Sequence, residues 1–155
     1  MRDAGSAERR QAIRSYEDIE AYQRAMELLV PLHALALKFP DYERFELASQ
    51  VRRASKSIPA NIAEGYGKKR SAREFKAYLN NALGSANEVI VHLRIAEQLA
   101  YVDAETVREL TEGYTIVAKQ LHRLMETWQT FDNGASASPA SRVSRPASKI
   151  GGGNQ

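Results

Sequence analysis

From Phe75 to Trp128 the apolar residues fall at steps of three and four, with one break near residue 103. Phe75, Leu79, Ala82, Ala86, Val89, Leu93, Ala96 and Ala100 form one run, and Val107, Leu110, Tyr114, Val117, Leu121, Leu124 and Trp128 form the next. A strand needs a period of two, whereas this spacing stacks every apolar side chain on one helix face. Regular alternation of three and four is the seam of helices packed nearly parallel or antiparallel. The pattern therefore predicts two long helices packed along their length. Ser71 and Glu74 form an S-x-x-E capping box before the first run, and the second is predicted to begin near Asp103.

Two further helices are weaker in outline. One is predicted to open at Ser15, with Asp18 three residues on, and to bury Ile19, Tyr22, Met26, Leu29, Leu32 or His33, and Leu37. Pro31 interrupts it; an interior proline removes a hydrogen bond and costs about 3 kcal/mol, so a kink is expected there. Pro40 disfavours helix at Phe39 and ends the segment. The other is predicted from about 45 to 64, with Leu47, Val51, Ala54, Ile58 and Ile62 on one face. Gly65 and Gly67 are expected to close it, where positive φ is easy for glycine. No strand pattern occurs. Short connections make neighbours antiparallel, so the expected fold is all-α, an up-down-up-down four-helix bundle over residues 15–130. Residues 1–14 are expected to form a flexible N-terminus. Residues 131–155, rich in Ser, Ala, Pro and Gly, are expected to form a disordered tail.

Composition narrows the function classes. There is no cysteine among the 155 residues, which removes disulfides and thiolate metal sites. No apolar run approaches the roughly 18 residues of a membrane helix, and the first residues hold no apolar signal core. These features point to a cytoplasmic protein that does not engage a membrane. Catalysis is the weakest class. His33, His92 and His122 lie on separate predicted helices, and Glu88/His92 and His122/Glu126 are spaced i,i+4 instead of the Glu-x-x-His of di-iron bundles. Gly65-x-Gly67 lacks the strand that precedes a nucleotide-binding glycine loop. No cofactor is implied.

The remaining signal lies in "SIPANIAEGYGKKRSAREF", residues 57–75. Residues 52–76 carry eight Lys/Arg against Glu64 and Glu74, far more positive than the chain's net charge of +3. Pro59 withholds the helical donor of the Ser55 carbonyl. Around it, Ala54, Ser55, Ser57, Ala60 and Ala63 are small enough for another helix to approach closely, within the bundle or between subunits. Two readings stand beside each other, a packing kink and a contact surface. The cations Arg52, Arg53, Lys56, Lys68, Lys69, Arg70, Arg73 and Lys76 have a similar pair of readings. One is a solvated charge run; the other is a phosphate-binding patch, with Tyr66 available to stack on an unpaired base. Cations at a helix start oppose the macrodipole, so helix stability does not account for Arg73 or the Lys-Lys-Arg run. Such a patch carries no base code, and its binding would be salt-sensitive. Arg52 and Arg53 could instead pair with Glu46, Glu64 or a neighbouring subunit.

These residues also carry a resemblance. "YEDIEAYQRAMELL" and "LASQVRRASKSIPANIAEGYGKKRSAREFKAYLNNALGSANEVIVHLRIA" resemble the four-helix-bundle family of the 23S rRNA intervening-sequence protein, over roughly residues 15–130. Its most specific part runs from Gln50 to Gly65 and includes the motif residues Ser57, Pro59, Asn61, Glu64 and Gly65. The resemblance implies small cytoplasmic bacterial proteins, some encoded inside large-subunit rRNA genes, with no catalytic activity. It also implies homopentamers around a central pore. In a related branch it implies an accessory protein of diversity-generating retroelements, which binds a reverse transcriptase and nucleic acid. For a ring, Tyr22, Ile58, Tyr78, Val91 and Ile95 are the candidates for surface in excess of one seam. The tail lies outside the pattern.

Overall fold

The computed structural model describes residues 12–135. Most of the expected flexible ends, 1–11 and 136–155, lie outside the described residues. Four α-helices follow in order: α1 (Glu20–Ala36), α2 (Leu47–Gly67), α3 (Ala72–Gln98) and α4 (Ala104–Ala135). No strand occurs among the described residues. Each helix packs on its chain neighbour, and α1 closes the set against α4, giving a four-helix bundle. α4 runs on to Ala135, into the segment assigned to the tail on composition.

The seam between Phe75 and Leu121 is built as its spacing demands. Phe75, Leu79, Ala82, Ala86, Val89, Leu93 and Ala96 of α3 are buried, as are Val107, Leu110, Tyr114, Val117 and Leu121 of α4. Leu124 and Trp128 pack on the same core at partial burial. Ala100 is not part of this seam. It follows α3 with φ at 59°, and the Tyr101 N–H bonds the Ala96 carbonyl while the Ala100 N–H bonds that of Glu97. That pair of bonds is a Schellman motif, with alanine where glycine is usual.

α1 departs from expectation in its face. Ser15 caps a 3-10 turn, Tyr16–Asp18, and Asp18 returns the capping box; the α-helix starts only at Glu20. Its buried residues are Ala21, Ala25, Leu32, Leu35 and Ala36. Met26 and Leu37, expected inside, are exposed, the latter at 82%. Gly113 of α4 leaves room for a side chain of α1: a Cβ placed there would come within 2.7 Å of the Leu28 tip. The helix is continuous through Pro31, which lies on the solvent side.

α2 also begins and ends later than expected. Phe45 is outside it and 84% exposed. The helix runs through both glycines, and neither takes positive φ. Gly65 has a different role. A Cβ there would sit 2.5 Å from the Tyr78 Cβ and 3.1 Å from a Phe75 ring carbon, so its missing side chain allows α3 to approach. Just over two turns upstream, Ser57 hydrogen-bonds Ser85 of α3. Of the small residues, Ser57 is thus used between α2 and α3, and Ala54 and Ser55 are buried, whereas Ala60 is exposed on the outside of the bundle. Ile58, a candidate for surface between subunits, is fully buried in this chain's own core.

Candidate nucleic-acid interface

The α2–α3 connection is anchored by three aromatic rings. Phe75 is fully buried. Trp128 meets it edge-on at 4.7 Å between centroids, and Tyr66 does so at 6.3 Å. This ties the end of α2, the start of α3 and the far part of α4 together. Ser71 then caps α3 by accepting from the Glu74 N–H at 3.3 Å, so the connection is a short, fixed turn.

The cations stand outside that anchor. Lys68, Lys69, Arg70 and Arg73 are exposed, and Lys76 is half-buried. Lys68 places its ammonium 5.5 Å from the centre of the Tyr78 ring. The Tyr78 side chain, with Glu74 and Glu64 behind it, holds the Lys68 ammonium above its usual range. Lys69 donates to the Tyr66 hydroxyl at 2.8 Å and lies 4.0 Å from that ring's centre. Tyr66 is therefore packed on one edge and covered by an ammonium. It is not the bare stacking platform that the sequence suggested.

The other candidates divide. Arg53 and Lys56 are exposed on the outer stripe of α2. Counting helix rise, Lys56 is ~18 Å and Arg53 ~22 Å along the chain axis from Lys68. Arg52 is half-buried and donates to the Arg44 carbonyl at 3.0 Å, so it ties α2 to the preceding connection and does not join the patch. Most motif residues turn inward or onto the backbone, while Glu64 is exposed. Pro59 is buried. The Ser55 hydroxyl donates to the Arg52 carbonyl at 2.9 Å, and the Asn61 amide to the Ser57 carbonyl at 2.8 Å. Glu64 accepts from the Tyr78 hydroxyl at 3.4 Å. Side-chain bonds to the backbone surround the turn that Pro59 disrupts.

The histidines do not converge. His33 bonds the Leu29 carbonyl at 2.8 Å and His92 pairs with Glu88 at 3.2 Å. Among the described residues no group of three or more His, Asp or Glu could hold a metal ion, and no helix is long and apolar enough to cross a membrane.

The opposite end of the bundle carries an apolar surface of which the sequence pointed to Val91 and Ile95 but not to Phe45 and Leu99. Phe45, Leu47, Ile95 and Leu99 line an open groove with Glu43, Glu46 and Gln50 at its rim. Val91 and Ile95 of α3 and Leu99 at its C-cap follow one another at i,i+4 and are all exposed. That spacing extends the Val91 and Ile95 surface by one more turn.

This bundle and its 57–75 segment can now be set against known proteins. Residues 17–123 match the family described as 23S rRNA-intervening sequence protein. The chain belongs to that family. Among solved structures, it is similar to a protein of unknown function from the S23 ribosomal protein family of Bacteroides thetaiotaomicron. The TM-score is 0.62 and the identity 25%, over 68% of this chain and 98% of that one. No curated protein matches by sequence.

Proposed function

We propose that this member of the 23S rRNA-intervening sequence protein family is a non-catalytic nucleic-acid-binding bundle that acts in the cytoplasm. It holds phosphates through the basic connection between α2 and α3. The observation that carries this reading is the cluster Lys68, Lys69, Arg70 and Arg73, exposed on a turn fixed by Tyr66, Phe75 and Trp128. Among the described residues no carboxylate lies within ion-pair distance of Arg70 or Arg73. Exposed cations on a rigid base suit a polyanion, and they give affinity that falls with salt. The test is Lys68→Gln, Lys69→Gln and Arg70→Gln together, read by anisotropy with labelled RNA and DNA across a salt series. Weaker binding and a flatter salt slope are expected, with the same oligomeric state. Unchanged affinity would remove this reading.

The second reading is a protein-binding scaffold: a homopentamer, or an accessory subunit for a retroelement reverse transcriptase. It draws on the exposed apolar groove at Phe45, Ile95 and Leu99. Light scattering at micromolar concentration checks self-association, with Phe45→Asp as the variant that should weaken it. A monomeric parent protein would remove the ring.

A further inference from the structure

We propose that the ligand of this site is a nucleic-acid duplex, held across one groove by two cation clusters on the outer stripe of α2 and its following turn. This rests on the phosphate-binding reading above and adds the form of the polyanion. Arg53, Lys56, Ala60, Glu64 and Gly67 recur at steps of three and four and are all exposed, so they share one stripe. Cations occupy its two ends: Arg53 and Lys56 at one, and Lys68 with its neighbours at the other. Between them the stripe carries only Ala60, Glu64 and Gly67. A Cβ added at Gly67 would meet nothing within 4 Å, and the same is true of exposed Gly84 on α3. Glu64 is engaged by the Tyr78 hydroxyl and lies beside Lys68. The surface between the clusters is thus low, with a single carboxylate on the stripe.

Two observations favour paired over unpaired strands. The first is spacing. The roots of Lys56 and Lys68 are ~18 Å apart, and a B-form major groove is about 12 Å wide between its phosphate walls, so long flexible cations at both ends reach both walls. The second is the aromatic side chains. Single-strand binders combine a basic track with exposed rings on which bases stack. Both tyrosines here carry an ammonium on the ring: Lys69 on Tyr66, and Lys68 on Tyr78. A base stacking where either ammonium sits would displace a cation that the phosphates need. A duplex keeps its bases stacked on one another and asks only for the cations.

The experiment compares a 20-base-pair DNA duplex, a 20-base-pair RNA duplex and the corresponding single strands, by anisotropy at several salt concentrations. The parent protein, R53Q/K56Q and K68Q/K69Q/R70Q are titrated at equal oligomeric state and equal helicity. At least one duplex should bind about tenfold more tightly than its strands. R53Q/K56Q should lower the slope of log affinity against log salt for that duplex by roughly 2, the contribution of two phosphate contacts. Single strands that bind as tightly as duplexes would overturn the proposal. So would a duplex affinity untouched by R53Q/K56Q; if K68Q/K69Q/R70Q still weakens binding, the phosphate-binding function survives that result. If neither variant changes binding, both readings fall.

Discussion

The two ends of the bundle solve opposite problems. At the α2–α3 end the aromatic rings face inward onto Phe75, and the charges are left outside, with no carboxylate of the described residues on Arg70 or Arg73. At the α1–α2 and α3–α4 end the polar groups are satisfied by one another and the large apolar side chains are left outside. There Glu43 accepts from the Leu47 N–H and from the Tyr101 hydroxyl, both at 3.0 Å, and Tyr101 also bonds the Tyr42 hydroxyl at 3.1 Å. Phe45 and Leu37 remain more than four-fifths exposed. Free charge acts over about a Debye length and recruits a polyanion. Free apolar surface acts only on contact and fits a protein. One small bundle therefore offers two chemically distinct faces some 30 Å apart by helix rise.

The largest effect on stability should come from the tight end. Gly65→Ala places a Cβ against the backbone-proximal Tyr78 Cβ, and overpacking of that kind costs roughly 1–3 kcal/mol. Gly67→Ala meets open space and should be neutral or stabilising by up to ~1 kcal/mol. Thermal melts of the pair decide whether the close approach is real; equal midpoints would break the contrast.

At the opposite end Ala100→Gly relieves a left-handed alanine, a conformation that costs roughly 1–2 kcal/mol for an L-residue. It should raise the unfolding free energy by about 1 kcal/mol, read by urea denaturation. Tyr101→Phe removes both hydroxyl bonds and should lower stability by ~1 kcal/mol. Binding of nucleic acid should not change, because the basic turn is at the far end. The hydroxyl is held above its usual pKa range by its bond to Tyr42, then by burial and Glu43, so it stays protonated through neutral pH.

A smaller effect is expected at Asp103, whose carboxylate accepts from the Thr106 hydroxyl at 2.7 Å and from its N–H at 3.0 Å. These bonds, with Lys38 a minor contributor, hold its pKa below the ordinary 3.8. A depressed acid contributes stability above its unfolded pKa and loses it as pH falls through the folded value. Asp103→Asn should therefore narrow its gap to the parent protein below about pH 4, measured by urea unfolding from pH 7 to pH 3. The smallest stability effect belongs to K68Q/K69Q/R70Q. Its stability should change by less than about 0.5 kcal/mol, as for other exposed substitutions. A large drop would mean that the lysine–tyrosine contacts hold the turn.

The helical class, the α3 and α4 seam, the Ser71 cap and the concentration of charge in residues 52–76 are legible along the chain. Those features are local. Helical periodicity, cap chemistry and charge count follow from near neighbours in sequence, and the unbroken run of steps of three and four marks the inward face of α3 and α4. The remaining features come from contacts between distant segments. The inward face of α1 is marked by Ala21 and Ala25 while Met26 and Leu37 lie outside, because close helix approach can bury small residues and leave large ones exposed. Gly65 is a contact point and not a helix stop, because Tyr78 arrives from another helix. Tyr66 is covered, because Lys69 and Phe75 reach it from the turn and from α3. Arg52 leaves the patch for the Arg44 carbonyl, eight residues back along the chain. Each depends on which surface meets which, and that is set by the packing of whole helices, not by local spacing.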